Sequence, residues 1–337
     1  MSRKKVEILV LVAISVLTVC CYIGTRNDWI PPMALSGLTS LIVVGLILGA
    51  MVWILLRTIK GKPAGRRIVF LFVALAVSAP LFMSLVQKIN VSPEAQTTYN
   101  SLEALKEGSI VLASFDYDPS SAAELQPMAE TFFRYCFDHK LKVIIMGLWP
   151  QGPQQARKAL TKILAEPEYQ TKNLQYGKDY VNIGFQSGNE FVIQRMGTDF
   201  KSMFPVDYKK TPYDSLDLLK GVKNFSNVDY VFNLSAGYPG TQEWVLIGVD
   251  QFGFKLGAGN TAVQTTAMYP YIRSGQLHGI FGGMNGAAEF EKLHGHLDKG
   301  TKYMLSQSFA HIVVIGFIII GNVSFFMFER KRRRQVI

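Results

Sequence analysis

The chain has 337 residues, with 35 Lys and Arg against 25 Asp and Glu, for a formal net charge of +10. Divided by region, residues 89–306 hold 20 Lys and Arg and 22 Asp and Glu, a net −2, and the remainder carries +12. A nucleic-acid groove needs its basic residues clustered on the folded domain, so this distribution excludes nucleic acid as a partner.

The excess base flanks apolar stretches. Residues 6–23, 35–56, 68–86 and 309–328 each have about the length that crosses ~30 Å of hydrocarbon. Arg3, Lys4 and Lys5 precede the first, whereas the loop after it balances Arg26 against Asp28. Arg57, Lys60, Lys62, Arg66 and Arg67 follow the second, and residues 330–334 read RKRRR. Placing both termini and the 57–67 loop in the cytoplasm satisfies every count. The expectation is a multi-pass protein of the cell (inner) membrane, in three parts: a three-helix transmembrane region over 1–88, an extracytoplasmic domain over 89–306, and a final helix with a basic cytoplasmic tail over 307–337. Trp29 with Pro31 and Pro32 fits an interfacial turn on the outer face. The first stretch also shares the pattern of a signal peptide, with Cys20 at a faint lipoprotein site. The bulky Val19 and the lack of a small-x-small site argue against cleavage.

No Asp, Glu, Lys or Arg lies deep in any stretch, which argues against a self-sufficient pump or channel. Gly45 and Gly49 form a small-xxx-small pair suited to packing among the spans or to recruiting a partner. Pro80 is expected to kink the third span.

Within the domain, Cys136 stands alone among Phe132, Phe133 and Phe137 and reads as a core hydrophobe. Residues 109–115 and 143–148 read as buried strands, as do 180–185, 229–234, 254–258 and 279–281. Helices are expected over 121–139 from a capping box at Ser121 and Glu124, then over 154–165, 242–251, 266–274 and 286–297. Residues 180–185 and 190–195 around Gln186–Asn189 suggest a hairpin, and 198–223 an insertion. This alternation predicts an α/β fold: a three-layer Rossmann-like domain with a mostly parallel sheet, beside four transmembrane helices, three N-terminal and one C-terminal.

In such a sheet ligands gather beyond the carboxyl ends of the strands. The sequence places Asp116, Asp118, Ser120, Trp149, Asn233, Ser235, Asn260 and Thr261 there, with Gly282, Gly283, Asn285 and Gly286 in a loop that opens a helix. The glycine loop suits either an anion at backbone N–H groups or tight strand-to-helix packing. His294 and His296 diverge on a helix and make a poor metal pair, so no metal site is expected. Asp116-Tyr117-Asp118-Pro119-Ser120 after an apolar strand resembles the first motif of haloacid-dehalogenase-type phosphohydrolases. That resemblance implies Asp116 as nucleophile, Asp118 as acid/base and Mg²⁺ as cofactor, but the paired acids of that family's later metal-binding motif are missing at Gly282–Glu289. The plainer reading is a pair of turn and cap carboxylates with no cofactor. Residues 274–291 (SGQLHGIFGGMNGAAEFE), with 176–180 (YGKDY), resemble bacterial membrane proteins of unassigned function.

These features together predict a non-enzymatic, membrane-anchored binding, scaffold or accessory subunit of an envelope complex. It would contact the lipid bilayer and a membrane-protein partner or a second copy of itself. The alternative is a Mg²⁺-dependent extracytoplasmic phosphohydrolase using Asp116 and Asp118.

Overall fold

The computed structural model describes residues 37–60, 65–82 and 88–334; the stretch 6–23 and the turn at Trp29 lie outside them. The chain divides into two compact units, Met1–Lys88 with Lys302–Ile337, and Ile89–Thr301.

The first unit contains the helices Gly37–Ile59 and Arg66–Phe82 and most of Lys299–Arg334. Among the described residues one helical segment, Lys299–Met327, is long and apolar enough to cross a bilayer, with mean hydropathy 2.2 and only 17% of its apolar window buried. The apolar parts of the other two, Gly45–Ile59 and Ile68–Ser78, are shorter. Met51, Ile54, Ala76, Phe309, Val313 and Ile320 are buried together in this unit. Its close approach is at Gly316, where a Cβ would overlap Met51 at 1.7 Å, while no described residue lies within 4 Å of a Cβ at Gly45 or Gly49.

The second unit is built on six strands: β1 Ile110–Asp116, β2 Lys142–Gly147, β3 Tyr180–Phe185, β4 Tyr230–Ser235, β5 Leu256–Asn260 and β6 Ile280–Gly282. Their order is β3-β2-β1-β4-β5-β6, and every neighbouring pair is parallel. This is the doubly wound Rossmann order, with its switch point between β1 and β4. Alternate residues feed two cores. On one face Val111, Ala113, Phe115, Val143, Ile145 and Phe232 meet the helices Pro93–Glu103, Ala122–Asp138, Gly152–Ala165 and Gly283–His294. On the other, Leu112, Ile144, Met146, Val181, Val231 and Leu256 meet shorter elements between residues 190 and 277. Cys136 is fully buried on the first face. It is expected to react with a thiol reagent only after unfolding, which labelling with and without denaturant checks.

Three local expectations are corrected. Residues 190–196 form a helix, Glu190–Met196, not a hairpin strand. Val192, Ile193 and Met196 are buried while Phe191, Gln194 and Arg195 are exposed, a helical spacing. Residues 198–223 are no appendage, since Phe200, Phe204, Tyr213, Leu219 and Val222 build the second core. At the start of the Ala122–Asp138 helix, Ser121 makes no side-chain cap bond, and Asp118 caps the preceding 3-10 turn Pro119–Ser121.

Both chain connections of this unit are stitched to the Gly283–His294 helix. Ile89 O accepts from Lys292 Nζ, and Ser92 donates to Glu289 through N at 3.0 Å and Oγ at 3.1 Å. Ser92 also caps the Pro93–Glu103 helix. Its replacement by Ala is expected to cost about 1 kcal/mol, read by denaturant unfolding. On the exit side Arg134, itself 2% exposed, pairs with Glu166 at 2.6 Å and Asp298 at 3.0 Å, and Lys162 reaches Asp298 at 2.7 Å. Burial alone would raise Asp298, but Lys162 and Arg134 outweigh it and hold the group at about 2. A folded-state value below the unfolded one adds stability above pH ~4 that is lost as the pH falls toward 2. An acid titration of the unfolding midpoint should show that loss, and it should be reduced in Asp298→Asn.

Candidate functional site: a closed polar network at the strand ends

Ser114 and Asp116 lie two apart on β1, so they share the face that carries Leu112. The β1–β4 register sets Ser114 beside Asn233 and Asp116 beside Ser235, and the β4–β5 register sets Ser235 beside Asn260. All five side chains, with Thr241 and Trp244, are fully buried.

Asp116 is the centre. Its Oδ1 accepts from Leu148 N at 2.6 Å, and its Oδ2 accepts from Asn233 Nδ2 at 2.6 Å and Trp244 Nε1 at 3.1 Å. The Ser114 hydroxyl lies 2.9 and 3.0 Å from the two oxygens. Burial pushes the carboxyl up to about 6, against the downward pull of Leu148, Ser114, Trp244 and Asn233. Ser114 can donate to the carboxylate or accept from the acid, so the site holds either state without an orphaned proton.

A second tier joins the ring. Thr241 Oγ1 lies 2.6 Å from Asn233 Oδ1 and 2.9 Å from Asn260 Oδ1. One hydroxyl hydrogen serves only one of these acceptors, and the buried Asn260 Nδ2 has no other partner. A flipped Asn260 amide donating to Thr241 satisfies both groups. Ser235 Oγ turns to Gly237 O at 3.1 Å, and Thr261 N donates to Ser235 O at 3.2 Å.

The remaining residues sit around this core. Asp118 is half-buried and caps its own turn, accepting from Ser120 N at 3.0 Å and from Ser120 Oγ. The Ser120 hydroxyl bond outweighs the raising effect of burial and holds its carboxyl below the usual range. Trp149 is half-buried over Gly237 and donates through Nε1 to Pro239 O at 2.8 Å. The glycine loop is a packing device. Gly283 has φ +60, and a Cβ at Gly286 would lie 2.4 Å from the Phe281 carbonyl carbon. A carboxylate stands beside the loop: Glu124 Oε2 accepts from Ala262 N at 2.8 Å and lies 3.1 Å from a Cβ at Gly283. Asn285 donates to Glu289 at 2.9 Å.

The structure thus unites Asp116, Asn233, Ser235 and Asn260, places Asp118, Ser120, Trp149 and Thr261 at their rim, and leaves Gly282–Gly286 apart. Sequence reasoning missed Ser114, Thr241, Trp244 and Glu124. Of these only Ser114 had a signal, two residues before Asp116 on an alternating strand. Trp244 opens a π-helical segment, Trp244–Val249, which no local pattern announces.

The resemblance-implied Mg²⁺ does not fit these residues. A cation needs free carboxylate lone pairs, and both Asp116 oxygens face hydrogen-bond donors in a site closed to solvent. Among the described residues no three His, Cys, Asp or Glu side chains gather in a metal-binding group. Comparison with protein-family models, curated proteins and solved structures gives no match.

Proposed function

We propose that this chain is a membrane-anchored binding or scaffold subunit of an envelope complex, its Ile89–Thr301 unit extracytoplasmic and its apolar stretches forming four spans. One observation carries the reading. At the switch point, where open α/β sheets bind and transform ligands, the central carboxylate is sealed inside the protein and saturated by donors. A nucleophile needs an exposed lone pair within reach of its substrate, and Asp116 has 0% exposure. The strand ends therefore serve as a rigid platform rather than as a reaction centre. The basic flanks at 57–67 and 330–334 support the sidedness.

Isolation from the native membrane in mild detergent, with quantification of what accompanies the chain, tests the reading. A companion membrane protein, or a second copy, in fixed stoichiometry supports it. A solitary monomer across detergents and loading levels would count against it. Sidedness has its own test in Ser187→Cys, an exposed position, with Cys20 and Cys21 replaced by Ala. The new thiol is expected to react with a membrane-impermeant maleimide on intact cells. Protection until lysis would place the unit inside.

A further inference from the structure

A binding role needs a surface and a kind of partner, and the pole at the strand carboxyl ends supplies both; the docking site rests on the binding role proposed for this unit. The segments leaving the six strand ends are 116–126, 147–156, 185–194, 235–252, 260–272 and 282–291, and none contains Lys, Arg or His; Arg157, Arg195, Arg273 and Lys292 follow four of them, and Lys210 lines a cavity with Phe185 and Gln186. Asp118, Glu124, Glu190 and Glu243 stand half-buried among them. Each is fixed by a hydrogen bond, from Ser120 N, Ala262 N, Tyr238 Oη and Gly240 N respectively. None of the four has an ion-pair partner among the described residues. Some acids elsewhere on the unit do: Glu107 meets Lys140, Asp138 meets Lys172 and His294, and Asp214 meets Lys201.

Exposed apolar side chains lie between these carboxylates: Phe191 at 54%, Tyr238 at 62% and Val263 at 86% exposure. Hydrogen bonds link the turns that carry them. Tyr238 Oη bonds Glu190 at 2.9 Å, and Gln264, next to Val263, donates to Gly237 O at 3.1 Å. The Gly283–His294 helix starts at the β6 carboxyl end and runs back along the sheet, and its far end holds Ile89 through Lys292.

We propose that this pole docks a Lys/Arg-rich segment of a partner protein. Its cations meet the four fixed carboxylates, and its apolar side chains cover Phe191, Tyr238 and Val263. The same charge repels nucleotides and phosphates.

The test uses the full chain in nanodiscs and a fluorescent peptide of lysines interspersed with tryptophan and leucine, beside a version with glutamate for lysine. The lysine peptide is expected to bind and the glutamate peptide not. Combining Asp118→Asn, Glu124→Gln, Glu190→Gln and Glu243→Gln should weaken binding about tenfold at low ionic strength and flatten its salt dependence. Ser187→Lys with Gln242→Lys, at exposed positions, should weaken it similarly without touching any cap, which keeps the test decisive if the fourfold variant unfolds. Phe191→Ser with Val263→Ser should weaken binding and leave the salt dependence intact. Glu107→Gln should change nothing. Affinity insensitive to both sets of charge changes at the pole overturns the proposal. So does a dimer that the two added lysines disperse while the peptide never binds, since the surface then belongs to a second copy. Metal-dependent phosphate-ester turnover would remove the binding reading itself. Absent turnover, charge-insensitive peptide affinity removes only the docking site.

Discussion

Asp116→Ala is expected to destabilise the Ile89–Thr301 unit by on the order of 4 kcal/mol. The substitution leaves Leu148 N and Trp244 Nε1 buried without an acceptor and Asn233 Nδ2 with only Ser114 O at 3.4 Å, each lost bond at about 1–3 kcal/mol and not additively. It also opens a void that collapses only partly. Against a domain stability of about 5–15 kcal/mol, that loss should shift the denaturant midpoint by a large fraction of its value. A change below about 1 kcal/mol would mean that the network does not hold the strand ends together.

Asp116→Asn separates charge from shape. The folded-state value, about 6 against an ordinary carboxyl value of 3.8, means the native state binds the proton more tightly than the unfolded chain. Stability contributed by Asp116 is therefore full below pH ~4 and is lost as the pH rises through ~6. The shift corresponds to roughly 3 kcal/mol at most. The stability gap between wild type and Asp116→Asn should be widest near pH 4 and narrow toward pH 7. A gap that widens with pH would show that the carboxyl is held in its charged form instead.

The second large effect is expected at Glu291, which is 1% exposed. Its Oε1 accepts from Gly300 N at 2.6 Å, and its Oε2 from Asp298 N, Thr301 N and Thr301 Oγ1 at 2.9, 2.8 and 2.7 Å. These include first-turn donors of Lys299–Arg334, the helix that carries the segment long and apolar enough to cross a bilayer. One carboxylate from a neighbouring helix thus supplies the cap, while Asp298, next to Lys299, turns its own carboxylate to Arg134 and Lys162. Glu291→Gln puts an NH₂ among those donors and is expected to cost roughly 2–4 kcal/mol. Limited proteolysis should then cut between residues 295 and 300, where the wild type resists. Unchanged cleavage there would show that the helix start is held by the Arg134, Lys162 and Asp298 pairs alone.

Much of the fold could be read from the chain because strands buried on both faces are near-continuous apolar runs. Residues 109–115 and 143–148 showed this pattern, and β1 and β2 fall within a residue of them. Strand order was out of reach, since parallel pairing joins residues more than a hundred positions apart, such as Val111 and Tyr230, with no local trace. The 190–196 error came from a β-branched run after Gly188-Asn189, a hairpin signal. Asn189 adopts φ +49 and ψ −125, outside the strand region, and the chain turns into a helix instead. Asp116 and Asp118 were visible as a pair, but not the difference that decides their roles. One points into the packed face beside Trp244, and the other caps a turn at the surface. That contrast depends on a π-helical segment that brings Trp244 to Asp116, which is tertiary packing and not sequence spacing.

Turnover is the most direct measure of whether the strand ends are platform or reaction centre. The purified full chain is assayed on a generic phosphomonoester, with Mg²⁺ and with chelator, beside Asp118→Asn, whose side chain lies at the surface and leaves the buried network intact. Hydrolysis at the buffer rate in every case is the expected result. Mg²⁺-dependent hydrolysis that disappears in a folded Asp118→Asn chain would contradict it.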